Sequence, residues 1–358
     1  MNMVRRINVY TILILIVLTL SASCSKHVYP SSEVLTILYP PPPDTARIQF
    51  LTRYGNSTDF TGNQSNFKTF VSGKEDPLPI MKPYGLTIHD GRIFIVDTGL
   101  EGLQILDLRN NSFKVFRPSG RGQLRFPVNC HFDEEGSVYI SDVEREQVVI
   151  FDENFEYAGV IGGSESFKPT DVFVTEDRII ITDPQNNRIN VYDKSSRSLL
   201  FSFPEEAEVG DEKWLYNPMN LYVAGGNIYV TDFGNSRIKI FTRDGEYLKS
   251  VGSYGRGLGQ FVRPKGIALD RDLNLFVVDA GFQNVQVFNE IGQLLMFFGG
   301  PYNGPGDMYL PANIALDYEN LQYYEKYVAP EYKLDYLIFV TNQYGPDKVT
   351  VYGRVKPK

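Results

Sequence analysis

Four oxygen-bearing side chains recur at one place in a repeated phrase. Asn129, Asp171, Asn220 and Asn313 each stand two residues after a proline, and the other two copies hold Gly85 and Gly266 there. Equivalent positions converge on a common axis when repeats close into a ring. Three amides and one carboxylate on such an axis could hold a hard cation, since Ca2+ takes carboxylate and amide oxygens. The competing account is conformational. If the position needs a positive φ, glycine is preferred and Asn and Asp are its usual replacements. The conformational account is preferred, so no cofactor is expected and calcium is kept as the alternative.

Other chemistry is thin. The histidines are His27, His89 and His131 only, which leaves no zinc constellation and no Ser–His pairing with an Asp on shared loops. No Cys-x-x-Cys-His stands in the chain, so no haem is attached covalently. Gly255-Arg-Gly257-Leu-Gly259 has the look of a phosphate loop, but a strand follows where a helix N-terminus would be needed. Cys130 falls on an apolar strand and reads as a small core residue. Acids end the second strand of each copy at Asp97, Asp142, Asp183, Asp232 and Asp279, with Asn342 in the sixth place. Catalysis needs one site, whereas six equivalent turns need six acceptors. These acids are therefore expected to accept backbone N–H bonds in the following turn and to pair with a later Arg where one exists.

The elements that position these residues follow from the repeat. Prolines open the phrase at Pro83, Pro127, Pro169, Pro218, Pro264 and Pro311, spaced 44, 42, 49, 46 and 47 residues apart. Each is followed by an apolar strand, a small turn and a second apolar strand, as in Pro218–Val223, Gly-Gly and Asn227–Asp232. A period of about 40–50 residues with several strands per repeat predicts a propeller. Turns such as Asp-Glu-Glu-Gly, Ala-Gly-Gly and Arg-Asp-Gly supply hairpin chemistry. The fold class expected is all-β, a six-bladed β-propeller. Its last blade lacks a fourth strand at the C-terminus, and Arg47–Arg53 is expected to supply it by pairing with Lys348–Val355, closing the ring.

The phrase resembles the NHL repeat, in which the second strand is followed by Asp-x-x-Asn-x-Arg. The full form stands at Asp183, Asn186 and Arg188 and at Asp232, Asn235 and Arg237, and the other copies keep parts of it. The resemblance covers residues 46–355. It implies an NHL-like propeller and leaves function open, because propellers host unrelated activities. The axial residues are similar in kind to the calcium sites of paraoxonase and gluconolactonase propellers, although no Glu stands among the six. A peptide-amidating lyase, also NHL-like, would need a His-rich zinc site that this chain lacks. NHL lipoproteins with a similar Pro-rich entry accompany exported multihaem cytochromes, which makes such an assembly the partner that the resemblance implies.

At the N-terminus Arg5 and Arg6 precede an apolar run from Ile12 to Leu20 and then Ser21-Ala22-Ser23-Cys24. A basic start, a short apolar stretch and small residues describe a secretory signal, here residues 1–23. Cys24 after Ala-Ser resembles the bacterial lipobox, which implies lipidation of Cys24. Ser21 stands where that pattern commonly has Leu. Ser25, by resemblance to enterobacterial sorting, favours the outer membrane of a bacterial cell envelope. Residues 24–45, with Pro40 to Pro43, are expected to form a lipid anchor and an extended polyproline stalk, and residues 46–358 the propeller. The formal net charge is −8, and removing residues 1–23, which hold two Arg and no acids, leaves −10. Such a balance repels phosphate backbones, so nucleic acid is not an expected partner.

Long loops are expected on the top face at residues 54–82, 204–216 with Trp214, and 300–310, and a tyrosine-rich insertion near 318–334 on the bottom. Long loops on a rigid scaffold are where binding is most often placed. The function expected is therefore a membrane-anchored binding scaffold docking a protein or extended ligand on its top face. The alternative is a calcium-dependent hydrolase or lactonase at the channel mouth.

Overall fold

Short apolar runs bounded by turn residues give 25 strands among the described residues. The computed structural model describes residues 36–62, 76–163, 167–205 and 207–358, and residues 36–358 form one unit. Six antiparallel sheets are arranged as blades. Their innermost strands, lettered a, are Pro83–His89, Pro127–Phe132, Val172–Val174, Pro218–Ala224, Pro264–Leu269 and Pro311–Asp317. Strands b and c are continuous apolar runs such as Ile179-Ile-Ile181, because both faces of each are covered by neighbouring blades. Outermost strands alternate instead, as in Leu294–Gly299, with one face toward water. The hydrophobic clusters lie between adjacent blades. Leu103, Cys130, Ile140 and Val149 join blades 1 and 2, for example, and Val278, Val285, Ile338 and Val340 join blades 5 and 6.

The ring closes as the sequence predicts. Ile48–Tyr54 pairs antiparallel with Val349–Pro357, with Ile48 opposite Arg354 and Tyr54 opposite Val349. Blade 6 is then extended by a fifth strand, Ile37–Tyr39, paired with Ile48–Phe50. This strand lies in the stretch expected to be a stalk. Pro40 to Pro43 form the connection of a hairpin, closed by Arg47 N–H donating to the Tyr39 carbonyl at 2.8 Å. Burial draws the hairpin in: the Tyr39 ring packs on Phe298 and Tyr352, and its hydroxyl donates to the Gly306 carbonyl. Cys24 and the signal segment lie outside the described residues.

The recurrent prolines and acids form one device. Pro83 lies opposite Asp97, Pro127 opposite Asp142, Pro218 opposite Asp232, Pro264 opposite Asp279 and Pro311 opposite Asn342. Proline is tolerated at the first residue of a strand, where its missing N–H breaks no ladder bond. Each buried acid then accepts from the incoming loop. Asp97 takes Met81 N and Lys82 N at 2.7 and 2.9 Å, Asp142 takes Arg125 N and Phe126 N, and Asp279 takes Val262 N and Arg263 N. The expected turn bonds are present too, from Gly99 N, Arg145 N and Gly281 N. Only one expected arginine pair forms, Arg188 with Asp183 at 3.4 Å. Asp232 pairs instead with buried Lys239 at 3.2 Å, while Arg237, directly opposite Asp232 in the ladder, turns its guanidinium to the Asn235 carbonyl.

Candidate functional site

The four axial residues meet at the centre of the ring. Asn313 Nδ2 donates to Asn129 Oδ1 at 3.1 Å, Asn129 Nδ2 to Asp171 Oδ1 at 2.6 Å, and Asn220 Nδ2 to Asp171 Oδ2 at 3.2 Å. Backbone N–H groups of Val172 and Leu221 complete four bonds to the Asp171 carboxylate. Burial nonetheless pushes its pKa up to about 7, against the lowering effect of those donors.

The conformational account of this position is corrected by the backbone. Among the described residues, positive φ does not occur at any of the six positions. Glycine stands at two of them for want of space. A Cβ on Gly85 would lie 2.5 Å from Asn129 Oδ1, and one on Gly266 would lie 2.5 Å from the Asn313 Cα. Gly85 thus lets Asn313 of blade 6 reach past blade 1 to Asn129 of blade 2.

A second pattern accompanies the ring and was not read from the sequence. The residue before each strand-b acid is Ser141, Thr182, Thr231 or Thr341 in the four blades with an axial Asn or Asp. It is Val96 or Val278 in the two blades with Gly. The hydroxyls cap axial backbone: Ser141 and Thr182 accept from Asn129 N and Asp171 N, and Thr341 from Asn313 N. They also reach the next blade, as Thr231 donates to the Lys265 carbonyl and Thr341 to the Tyr84 carbonyl, both at 2.7 Å.

This arrangement does not fit Ca2+, which takes six to eight oxygens. The one carboxylate already accepts four hydrogen bonds, and the Asn129 and Asn313 oxygens accept backbone N–H groups of Cys130 and Ile314. Asn220 Oδ1 is the one ring oxygen buried without a partner. Among the described residues, no group of three or more His, Cys, Asp or Glu could hold a metal. Above the ring, Tyr84, Val128 and Ala312 pack together, and Lys265 sits 5.2 Å from the Tyr84 ring. Below it lies a cavity of about 210 Å³ lined by Asn129, Asp171, Asn313, His131, Phe173 and Tyr222. Burial lowers the His131 pKa to about 4, so the imidazole is neutral, and it accepts from Val174 N. Cys130 is buried and its thiol is pushed well up by burial, in keeping with a core role.

The top face differs in kind. Trp214 is half-buried and stacks on exposed Tyr216 at 5.4 Å, with its carbonyl held by the buried Lys239 ammonium. Tyr302, Tyr309 and Tyr344 form a second aromatic row, with centroids 6.2 and 5.9 Å apart. Among the described residues, the exposed large apolar side chains on top-face loops are Leu78, Met81, Phe126, Val209, Tyr216, Tyr254, Leu258, Tyr309 and Tyr344. Tyr254 and Leu258 are 74% and 72% exposed. Among the described residues, bottom-face loops carry Ile291 alone of this kind.

Fold and axis together define an all-β, six-bladed β-propeller. A family described as a 6-bladed beta-propeller matches residues 208–289. No curated protein matches the sequence. A structural genomics protein of unknown function from Bacteroides thetaiotaomicron is similar with a TM-score of 0.58 at 14% identity, covering 87% of this chain and 76% of that one. A catalytically inactive virginiamycin B lyase from Staphylococcus aureus with quinupristin gives 0.54 at 12% identity, covering 76% and 95%. A streptogramin B lyase gives 0.53 at 12% identity, covering 77% and 84%. At such identities the likeness is one of fold. Among the described residues, no helix is long and apolar enough to cross a membrane.

Proposed function

We propose that this chain is an exported, lipid-anchored binding propeller that docks a protein or extended partner on its top face. One observation carries the reading: among the described residues, large apolar side chains are exposed on the top-face loops and nearly absent from the bottom-face loops. Exposed apolar patches on a soluble scaffold mark interaction surfaces, and aromatic anchors dominate such interfaces. The anchor would be lipid on Cys24, followed by residues 25–35, with the body beginning at Thr36. On this reading the protein belongs to a bacterial cell envelope, with the outer membrane favoured by Ser25, and an exported multihaem cytochrome assembly is the partner to test first. The calcium-dependent hydrolase alternative draws little support from a ring in which every oxygen but Asn220 Oδ1 is already engaged.

A photo-crosslinking residue placed at Tyr254 or Tyr309, and in separate strains at Ile291 or Glu325, tests the docking reading in intact envelopes. Discrete adducts from the two top positions and none from the two bottom positions are expected. Equal adduct patterns from both faces would sink it. Cys24→Ser should abolish acylation and release the protein from membrane fractions. An unchanged distribution, with no acyl mass on the parent, would remove the anchor from the proposal.

A further inference from the structure

Blade 2 departs from the turn that blades 3 and 4 share. In blades 3 and 4 the third residue after the strand-b acid is Asn186 or Asn235, and each Nδ2 donates back to its acid at 2.8 Å. The fifth residue is Arg188 or Arg237. In blade 2 the third residue is Arg145 and the fifth is Gln147. The Arg145 guanidinium turns outward instead. It donates to the carbonyls of Arg121 and Gln123 and, through Nε and Nη2, to Gln147 Oε1 at 3.1 and 2.8 Å. These bonds hold the loop over blade 2 in one conformation.

That loop brings two further arginines to the same place. Arg121, Arg125 and Arg145 line one cleft of about 540 Å³ at the top corner of blade 2, with Gln123, Gln147 and Tyr157. The Arg121 guanidinium lies over the Tyr157 ring at 5.1 Å, which orients it without using its donors. The exposed Arg125 bonds Asp142 through its backbone N–H and not through its side chain. Among the described residues, none of the three pairs with a carboxylate, although Glu144 and Glu146 stand on the same turn. Like charges gathered without counter-ions cost free energy through mutual repulsion, and they do so here in a chain of net charge −8.

We propose that this corner of blade 2 is an oxyanion-binding cleft that takes one carboxylate, sulfate or phosphate group. Guanidinium forks match such groups with paired, charge-assisted hydrogen bonds. Arg121 and Arg125 supply the free donors, while Arg145 supplies charge and fixes the loop. The cleft is independent of the docking reading, since it binds the isolated group whether or not a partner is present.

Titration of the folded protein with sodium sulfate, phosphate or acetate, at ionic strength held constant with chloride, tests it by calorimetry. Arg121→Gln with Arg125→Gln removes the free donors and leaves the bonds of Arg145 in place. Lys114→Gln with Lys333→Gln removes equal charge elsewhere and serves as control. Saturable binding of any one of the three anions, weakened at least tenfold by the arginine pair and unchanged by the lysine pair, is expected. The anion that binds names the group. Absence of saturable binding to all three would overturn the proposal, as would equal weakening by both pairs, which is the mark of diffuse surface charge. Circular dichroism of both variants separates loss of binding from loss of fold.

Discussion

The top and bottom faces both carry long loops with many aromatic residues, yet the two sets do different work. On the bottom, the insertion between Asp317 and Tyr332 holds Tyr318, Tyr323, Tyr324 and Tyr327, and none of them is exposed. Tyr324 is sealed in the core, with its hydroxyl against that of Tyr54 at 3.1 Å and its ring edge on Phe339. Buried Gln49, on the strand that closes the ring, donates to the Tyr327 carbonyl and accepts from Ala329 N. The insertion is thus an extension of the core that covers the closure strand. On the top, Tyr216, Tyr254, Tyr309 and Tyr344 keep their rings in water. Aromatic content in a loop therefore says little about binding until burial is known.

The comparison yields a graded set of expectations. Tyr324→Ala should be the most damaging, lowering stability by about 3–5 kcal/mol as a large ring leaves a cavity, measured by denaturant unfolding. A loss below about 1 kcal/mol would mean that the insertion is a loose loop like those above.

Between the faces, Asp171→Asn should change how stability depends on pH. The folded carboxyl titrates near 7, above the ordinary value of 3.8, because burial disfavours its charge. An unfolded chain gives up that proton near pH 4, so ionisation favours unfolding. The parent loses stability from this group as pH rises from about 4 to about 7 and loses no more beyond. The variant lacks the loss, so the difference between the two should widen by up to about 1.4 kcal/mol per pH unit across that window. Parallel melting curves from pH 4 to 8 would show that Asp171 is not buried as an acid.

Gly266→Ala should cost about 1–3 kcal/mol, since its methyl group meets backbone of the adjacent blade. An unaffected melting temperature would mean that the ring has slack at blade 5. The smallest effect on stability belongs to the top face. Tyr254→Ser and Leu258→Ser should each stay within about 0.5 kcal/mol while removing the crosslinks described above. A large loss of stability there would place these residues in the core and erase the contrast.

Much of the fold was legible because its signals are local. Proline at a strand start, acid at the next strand end, and glycine-rich turns between apolar runs recur in register, and each acts within its own blade. The prolines of residues 40–43 misled for the opposite reason. Composition alone suggests an extended spacer, whereas Tyr39 finds its burial against Phe298 and Tyr352, residues supplied from the far end of the chain. At the axis, Gly, Asn and Asp looked like a conformational set. The column of Ser141, Thr182, Thr231 and Thr341 before the acids held a second signal, but its meaning depends on which backbone lies opposite.

By itself the sequence determined six blades, the strand that closes them and the turn chemistry that repeats, because these depend on neighbours in the chain. Tertiary structure decided that Asn313 meets Asn129 across 184 residues, that Gly85 leaves the gap between them, and that one face hides its tyrosines while the other shows them. The reason is geometric: hydrogen bonds and collisions act over about 3 Å, and only closure of the ring brings residues so distant in sequence within that reach.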